Sequence, residues 1–185
     1  MRNRRNFLKM VGGGALAATA APGVARTAAA APMPTGKIGD LELGRLMLGT
    51  NHITFYMHSR GLRYVDELSR QYNTDEKIFE TFATAEAHGI NAFMTHSEPR
   101  IEKLFKEYRD KHGGKMKWII APWIDSDNKK VTDLEGYNRV VPRLIDQGAD
   151  ALYVPGMLAG PLVNEGNGKL MGEMLNVIGA SGVPA

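Results

Sequence analysis

Ala85-Glu86-Ala87-His88-Gly89-Ile90-Asn91-Ala92-Phe93-Met94-Thr95 is the stretch that decides the fold class of this 185-residue chain. Its first half closes a helix. Ile78, Phe79, Phe82, Ala83 and Ala85 recur at helical spacing, and Asn73-Thr74-Asp75-Glu76 is a capping-box-like start. Gly89 takes the left-handed stop that a helix end needs. The second half is an apolar run that reads as a strand. A helix handed directly to such a strand is the joint of a parallel α/β sheet, whose strands are buried on both faces.

The same alternation extends outward in both directions. Upstream, Lys37-Ile38 and Leu41-Glu42-Leu43 flank a turn at Gly39-Asp40, so a small hairpin is expected, followed by Leu46-Met47-Leu48-Gly49 as a buried parallel strand. The long connection His52 to Tyr72 is expected to hold a short helix over residues 65–71. Downstream, Ser97 is expected to cap a helix carrying Ile101, Leu104, Phe105 and Tyr108, with Pro99 in its first turn. Gly113-Gly114 breaks the chain before the strand Lys117-Trp118-Ile119-Ile120-Ala121. Thr132-Asp133-Leu134-Glu135 opens a helix through Val140, Val141, Leu144 and Ile145, which Pro142 is expected to kink or split and Gly148 to end. Ala151-Leu152-Tyr153-Val154 reads as the next strand, residues 156–168 as a flexible glycine-rich connection, Lys169 to Ile178 as a helix, and Gly182-Val183-Pro184-Ala185 as entry to a further strand.

This order predicts an α/β fold, the first four to five βα units of a (β/α)8 TIM barrel, over residues 37–185. A whole barrel takes about 250 residues, so the chain reads as the N-terminal half of one, with a small open α/β domain as the alternative. A half-barrel would expose the edges of its first and fourth strands, which favours dimers or aggregates.

The N-terminus carries an address. Arg4-Arg5-Asn6-Phe7-Leu8-Lys9, followed by an uncharged run from Met10 to Ala25, resembles a bacterial twin-arginine export signal. That resemblance implies a signal and cleavage region over residues 1–31, a linker over 32–36, the twin-arginine export machinery as a partner, and a periplasmic or extracytoplasmic destination. The run is short and rich in glycine and alanine, so no stable membrane span is expected in the mature form. The chain has 23 basic and 20 acidic side chains. Arg2, Arg4, Arg5, Lys9 and Arg26 fall within the first 30 residues, which hold no acid, so the remainder is net −2 and offers no basic patch for nucleic acid. No cysteine is present, which excludes disulfides, thiolate metal ligands and cysteine nucleophiles.

Further along, a family resemblance appears. Gly39-Asp40-Leu41-Glu42-Leu43-Gly44-Arg45-Leu46-Met47-Leu48-Gly49-Thr50 is similar to the opening of aldo/keto reductases, and residues 85–95 to the first helix end and second strand of that family. Ile101-Glu102-Lys103-Leu104-Phe105 looks like its next helix and Ala149-Asp150-Ala151-Leu152-Tyr153-Val154 like its fourth strand. The resemblance implies a barrel. It also implies an Asp, Tyr, Lys and His tetrad passing hydride from NADPH to a carbonyl, but the matching positions fall at Met94, near Pro99, near Ala121-Pro122 and near Pro155-Gly156. The tetrad is missing, so NADP-dependent reduction is not expected of this chain.

Barrel sites sit at the C-terminal ends of strands. Those ends carry Asn51, His52, His96, Glu98 and Asp125, and the long connection adds His58 and Arg60 as candidate ligand-binding residues. His52, His96, Glu98 and Asp125 together form a mixed nitrogen and oxygen set that suits a divalent ion. The plainer alternative makes Glu98 a helix first-turn acid and Asp125 a turn residue. Arg60 and Arg63 could clamp an acid, and Tyr56 could stack on a sugar ring; the plainer reading is a solvated lid with Phe55, Tyr56 and Tyr64 packed on the mouth. The expected function is that of an exported barrel acting on a small polar or carbohydrate-like molecule, its reaction unassigned. The alternatives are a metal-dependent sugar isomerase, epimerase or aldolase, and a non-catalytic ligand-binding barrel.

Overall fold

The computed structural model describes residues 32–58 and 60–185, so the twin-arginine segment lies outside the described residues. The elements are β1 (Thr35–Ile38), β2 (Leu41–Gly44), α1 (Arg63–Tyr72), α2 (Asp75–Ala87), β3 (Ala92–His96), α3 (Pro99–His112), β4 (Lys117–Ala121), α4 (Leu134–Asp146), β5 (Ala151–Leu152), α5 (Gly156–Asn164) and α6 (Gly168–Ala180). Among the described residues no helix is long and apolar enough to cross a membrane.

Strand order follows chain order. β3 pairs in parallel with β4, matching Phe93 to Trp118 and His96 to Ala121, and β4 pairs in parallel with β5. Leu48 adds a parallel bridge to Phe93 on one side. On the other side the Leu152 N–H donates to the Pro184 carbonyl at 3.1 Å, where entry to a further strand was expected. An order without reversal sends every crossover the same way, since such crossovers are right-handed, and gathers the helices on one face. The packing agrees. Phe93, Trp118, Ile120 and Leu152 join residues from α2, α3, α4, α5 and α6 in one core cluster. The alternate residues Ala92, Ile119 and Ala151, with Met94 and Tyr153, meet only the hairpin residues Leu41 and Leu43 in a second, smaller cluster. The sheet is thus a parallel, singly wound α/β layer. Among the described residues it does not close into a barrel.

The β1–β2 hairpin guards the end where the strands begin. It turns at Gly39, whose φ of +57° a glycine adopts without strain. Asn91 accepts from the Gly44 N–H at 2.7 Å and donates to the Glu42 carbonyl at 3.2 Å, and Lys117 donates to that carbonyl as well. Thr74 caps α2 by accepting from the Lys77 N–H, and Gly89, at φ +82°, follows its end. Gly114 lies where any Cβ would overlap the Tyr108 ring. The ring is held by a 2.7 Å bond from its hydroxyl to Glu86.

Four expectations need correction. Leu46 and Met47 are exposed, and only Leu48 pairs, so the first strand is a single bridge. The strand expected over 151–154 is regular only at Ala151–Leu152. Pro142 does not split α4 into two elements: Pro142 and Asn138, whose carbonyl loses its donor, both face solvent, where water can serve that carbonyl. Residues 156–164 form α5 rather than a flexible connection, because Leu158 and Leu162, one turn apart, are buried in the core despite Gly160-Pro161.

Tyr137 on α4 is fully buried, and its hydroxyl has no partner among the described residues. Burial alone pushes its ionisation upward. A stranded hydroxyl offsets part of what its ring contributes. Tyr137→Phe is therefore expected to leave stability unchanged or raise it by up to about 1 kcal/mol in thermal or denaturant unfolding, and a clear loss would refute the stranded hydroxyl.

Candidate functional site

The period-two alternation that puts Ala92 and Met94 on the helix-free face of β3 also puts His96 there, at the end opposite the hairpin. The chain then turns through Ser97 into α3. Ser97 does not cap that helix; Glu98 holds the N-cap position, with extended backbone and no side-chain cap bond. The Ser97 hydroxyl is occupied elsewhere. It accepts from the Trp123 N–H at 2.8 Å and the Ile124 N–H at 3.0 Å and donates to the Ile124 carbonyl at 2.7 Å. The Ser97 N–H donates to the Ala121 carbonyl at 2.8 Å. Fully buried, Ser97 stitches the ends of β3 and β4 together and so orients its two neighbours.

Those neighbours face each other. His96 Nε2 lies 3.7 Å from Glu98 Oε2. Both atoms are buried, and neither has a hydrogen-bond partner among the described residues. His96 as a whole is 9% exposed. The Tyr56 ring stands edge-on to the imidazole, centroids 5.1 Å apart, and is itself 45% exposed.

Tyr56 is held there by the start of the long connection. Ile53 is buried, and its carbonyl accepts from Arg100 Nη1 at 3.1 Å. Arg100 also pairs with Asp75 at 2.8 Å. The Phe55 ring meets two guanidinium groups, Arg70 at 4.6 Å and Arg100 at 4.9 Å from its centroid. Phe55 has φ +62°, a left-handed conformation that costs a bulky residue energy and persists only where the surroundings enforce it. Tyr64, which the plainer reading packs on the mouth, is instead 67% exposed on α1.

The remaining candidates do not join the pair. Asn51, His52, His58 and Arg60 are exposed, and no hydrogen bond or ion pair among the described residues links them to His96 or Glu98. Asp125 is 2% exposed but fully engaged. Its Oδ1 accepts from the Lys129 N–H at 2.8 Å and the Asp127 N–H at 3.0 Å, and its Oδ2 from Arg139 at 2.8 Å. This is the turn role of the plainer reading, in which Asp125 precedes the polar run Ser126 to Lys130. The four residues read as a metal set therefore do not assemble, because one carboxylate is spent and one histidine faces solvent. Among the described residues no group of three or more His, Cys, Asp or Glu side chains is placed to hold an ion. Grooves of about 520 and 360 Å³ run along the helices, the first lined by residues such as Lys77, Thr84 and His88 and the second by Pro99, Glu102, Ser126 and Arg143; neither is lined by His96 or Glu98.

The Lys129 N–H, and then Arg139, hold the Asp125 carboxyl below its ordinary range despite the opposing effect of burial. A carboxyl depressed by folding stabilises the fold fully above the ordinary carboxylate pKa, and that contribution drains away as pH falls through the depressed value. Asp125→Asn is expected to lower stability at neutral pH and to flatten the acid limb of the stability curve. Parallel acid limbs for the two proteins would count against the assignment.

No family model matches this chain, and no curated protein does. Two solved structures described as a putative aldo-keto reductase from Pseudomonas aeruginosa are similar to it at 18% identity over 65% of this chain. The TM-scores are 0.44 and 0.45, and the match covers 44% and 46% of those chains, so this chain spans less than half their length. A likeness of that size carries no weight for chemistry.

Proposed function

We propose that the protein is exported by the twin-arginine route and takes a small polar or carbohydrate-like molecule at the C-terminal end of its parallel sheet. The observation that carries this reading is the buried, unpartnered facing of His96 Nε2 and Glu98 Oε2 beside a half-exposed tyrosine. Buried polar atoms nearly always find partners, and two that lack them in one place mark where a ligand would supply the bonds. A carboxylate beside an imidazole can also pass a proton to or from a bound hydroxyl or carbonyl, which gives the site a route to acid-base chemistry. The barrel resemblance supports the placement, since sites in that fold gather at this end of the strands. The missing tetrad argues for chemistry other than carbonyl reduction.

A divalent ion is the second reading. A nitrogen and an oxygen 3.7 Å apart can share one ion at bonds of about 2.0–2.2 Å, with further ligands drawn from substrate or water. Titrating the protein with small polyols, and separately with zinc or manganese, while following the histidine ring protons by NMR tests both readings. His96→Ala identifies the signal. A saturable shift of His96 supports the site, and His96 standing still under every addition rejects it. Export is tested by replacing Arg4 and Arg5 with lysine, which should leave the protein in the cytoplasm.

A further inference from the structure

We infer that the His96–Glu98 pair is built to hold two adjacent hydroxyl groups of one neutral polyol or sugar. This inference rests on the strand-end site proposed above and names its ligand class.

The argument starts from what each atom can do. Glu98 Oε2 in its ionised form only accepts hydrogen bonds, so its ligand must donate there. His96 Nε2 donates or accepts according to which ring nitrogen carries the proton. A hydroxyl can meet either state, because it donates and accepts through the same oxygen. An ammonium group suits only the accepting state and is repelled by the protonated ring. A carboxylate or phosphate would place a second negative charge beside the Glu98 carboxylate at its buried oxygen, and among the described residues no lysine or arginine pairs with Glu98 to offset it. Arg100, two residues on, is committed to Asp75 and the Ile53 carbonyl.

Spacing then selects a pair of hydroxyls over one. A single oxygen bonded to both atoms across 3.7 Å would have to bond at an acute angle. Gauche hydroxyls on neighbouring carbons stand about one hydrogen-bond length apart, so two nearly parallel bonds reach the two atoms without that crowding. Tyr56 supplies the remaining element. Its exposed ring beside the imidazole offers a face to the C–H side of a sugar.

The test follows the His96 ring signal in the intact protein with five probes: the methyl furanosides of ribose and of 2-deoxyribose, the second of which has no adjacent hydroxyls, then methylammonium, zinc ion and inorganic phosphate. The riboside is expected to shift the signal saturably. The deoxy sugar should bind about tenfold more weakly, and Glu98→Ala should weaken the riboside by at least about tenfold, as loss of a bond to a charged acceptor predicts. The Glu98 side chain caps nothing, so that variant should fold, and unfolding curves check that it does. Equal binding of the two sugars overturns the paired-hydroxyl assignment. So does a shift with methylammonium, zinc or phosphate in the absence of one with the riboside, although the strand-end site itself would then stand. No shift with any probe rejects the site and the assignment together.

Discussion

Ser97→Ala is expected to lower folding stability by about 3 kcal/mol and to scatter the site at the same time. The side chain is small and its removal leaves almost no cavity, so the loss comes from hydrogen bonding. The Trp123 N–H loses its 2.8 Å acceptor, the Ile124 carbonyl loses its 2.7 Å donor, and the Ile124 N–H is left with a longer 3.2 Å bond to the Ser97 carbonyl. Each stranded buried group costs about 1–3 kcal/mol. The strand ends they join are those that carry His96 and Glu98, so the imidazole signal should also broaden or move in the variant without ligand. Ser97→Thr, which keeps the hydroxyl, should recover part of both effects. A loss of less than about 1 kcal/mol with an unchanged His96 signal would show that the stitch is not what orients the site.

Arg143→Ala is expected to cost a similar amount, about 3 kcal/mol, by a different mechanism. Glu102 on α3 is 5% exposed, and Arg143 on α4 grips both of its oxygens, Nη2 reaching Oε1 at 3.2 Å and Nη1 reaching Oε2. Removing the guanidinium leaves a carboxylate in a setting that water reaches poorly. Removing both charges does not. The double variant Arg143→Ala with Glu102→Leu should regain most of the lost stability, because a buried ion pair contributes little over a packed apolar pair. Denaturant unfolding of the two single variants and the double variant decides the matter. If the double variant is no more stable than Arg143→Ala, the cost comes from lost packing of the arginine stem rather than from the stranded charge.

Most elements were legible because their signals are local. The apolar stripe Ile78, Phe82, Ala85 and the stop at Gly89 set α2 from within its own residues, and all three stripe residues are buried. The strand over residues 117–121 was equally plain. Punctuation misled where tertiary context overrode it. Pro142 looked like a break and residues 156–168 like a flexible connection, but a proline on a wet helix face is tolerated and a buried Leu158 and Leu162 hold a helix through Pro161. Ser97 looked like a cap because it precedes Pro99; its bonds run to residues 26 and 27 positions away, which no local pattern records. At the site, His96 and Glu98 were legible by position at a strand end. Their isolation from His52 and Asp125 was not, since it depends on Asp125 turning its carboxylate onto Lys129, Asp127 and Arg139. The contacts of Arg70 and Arg100 with Phe55 gave no signal beyond three suitable residues far apart in the chain.

The sheet's consecutive order has a kinetic side. β3 and β4 share an unbroken ladder from Ala92 and Lys117 to His96 and Ala121, whereas Leu48 and Pro184 hold their places by one bridge and one hydrogen bond. Every strand pairing also joins units that are neighbours along the chain, so opening can proceed from the margins inward without disturbing the middle. Amide hydrogens of β3 and β4 should therefore exchange last, those around Leu48 and Leu152 sooner. His96 and Ser97 belong to the slow middle and Tyr56 to the faster margin, so the site joins a rigid floor to a more yielding wall.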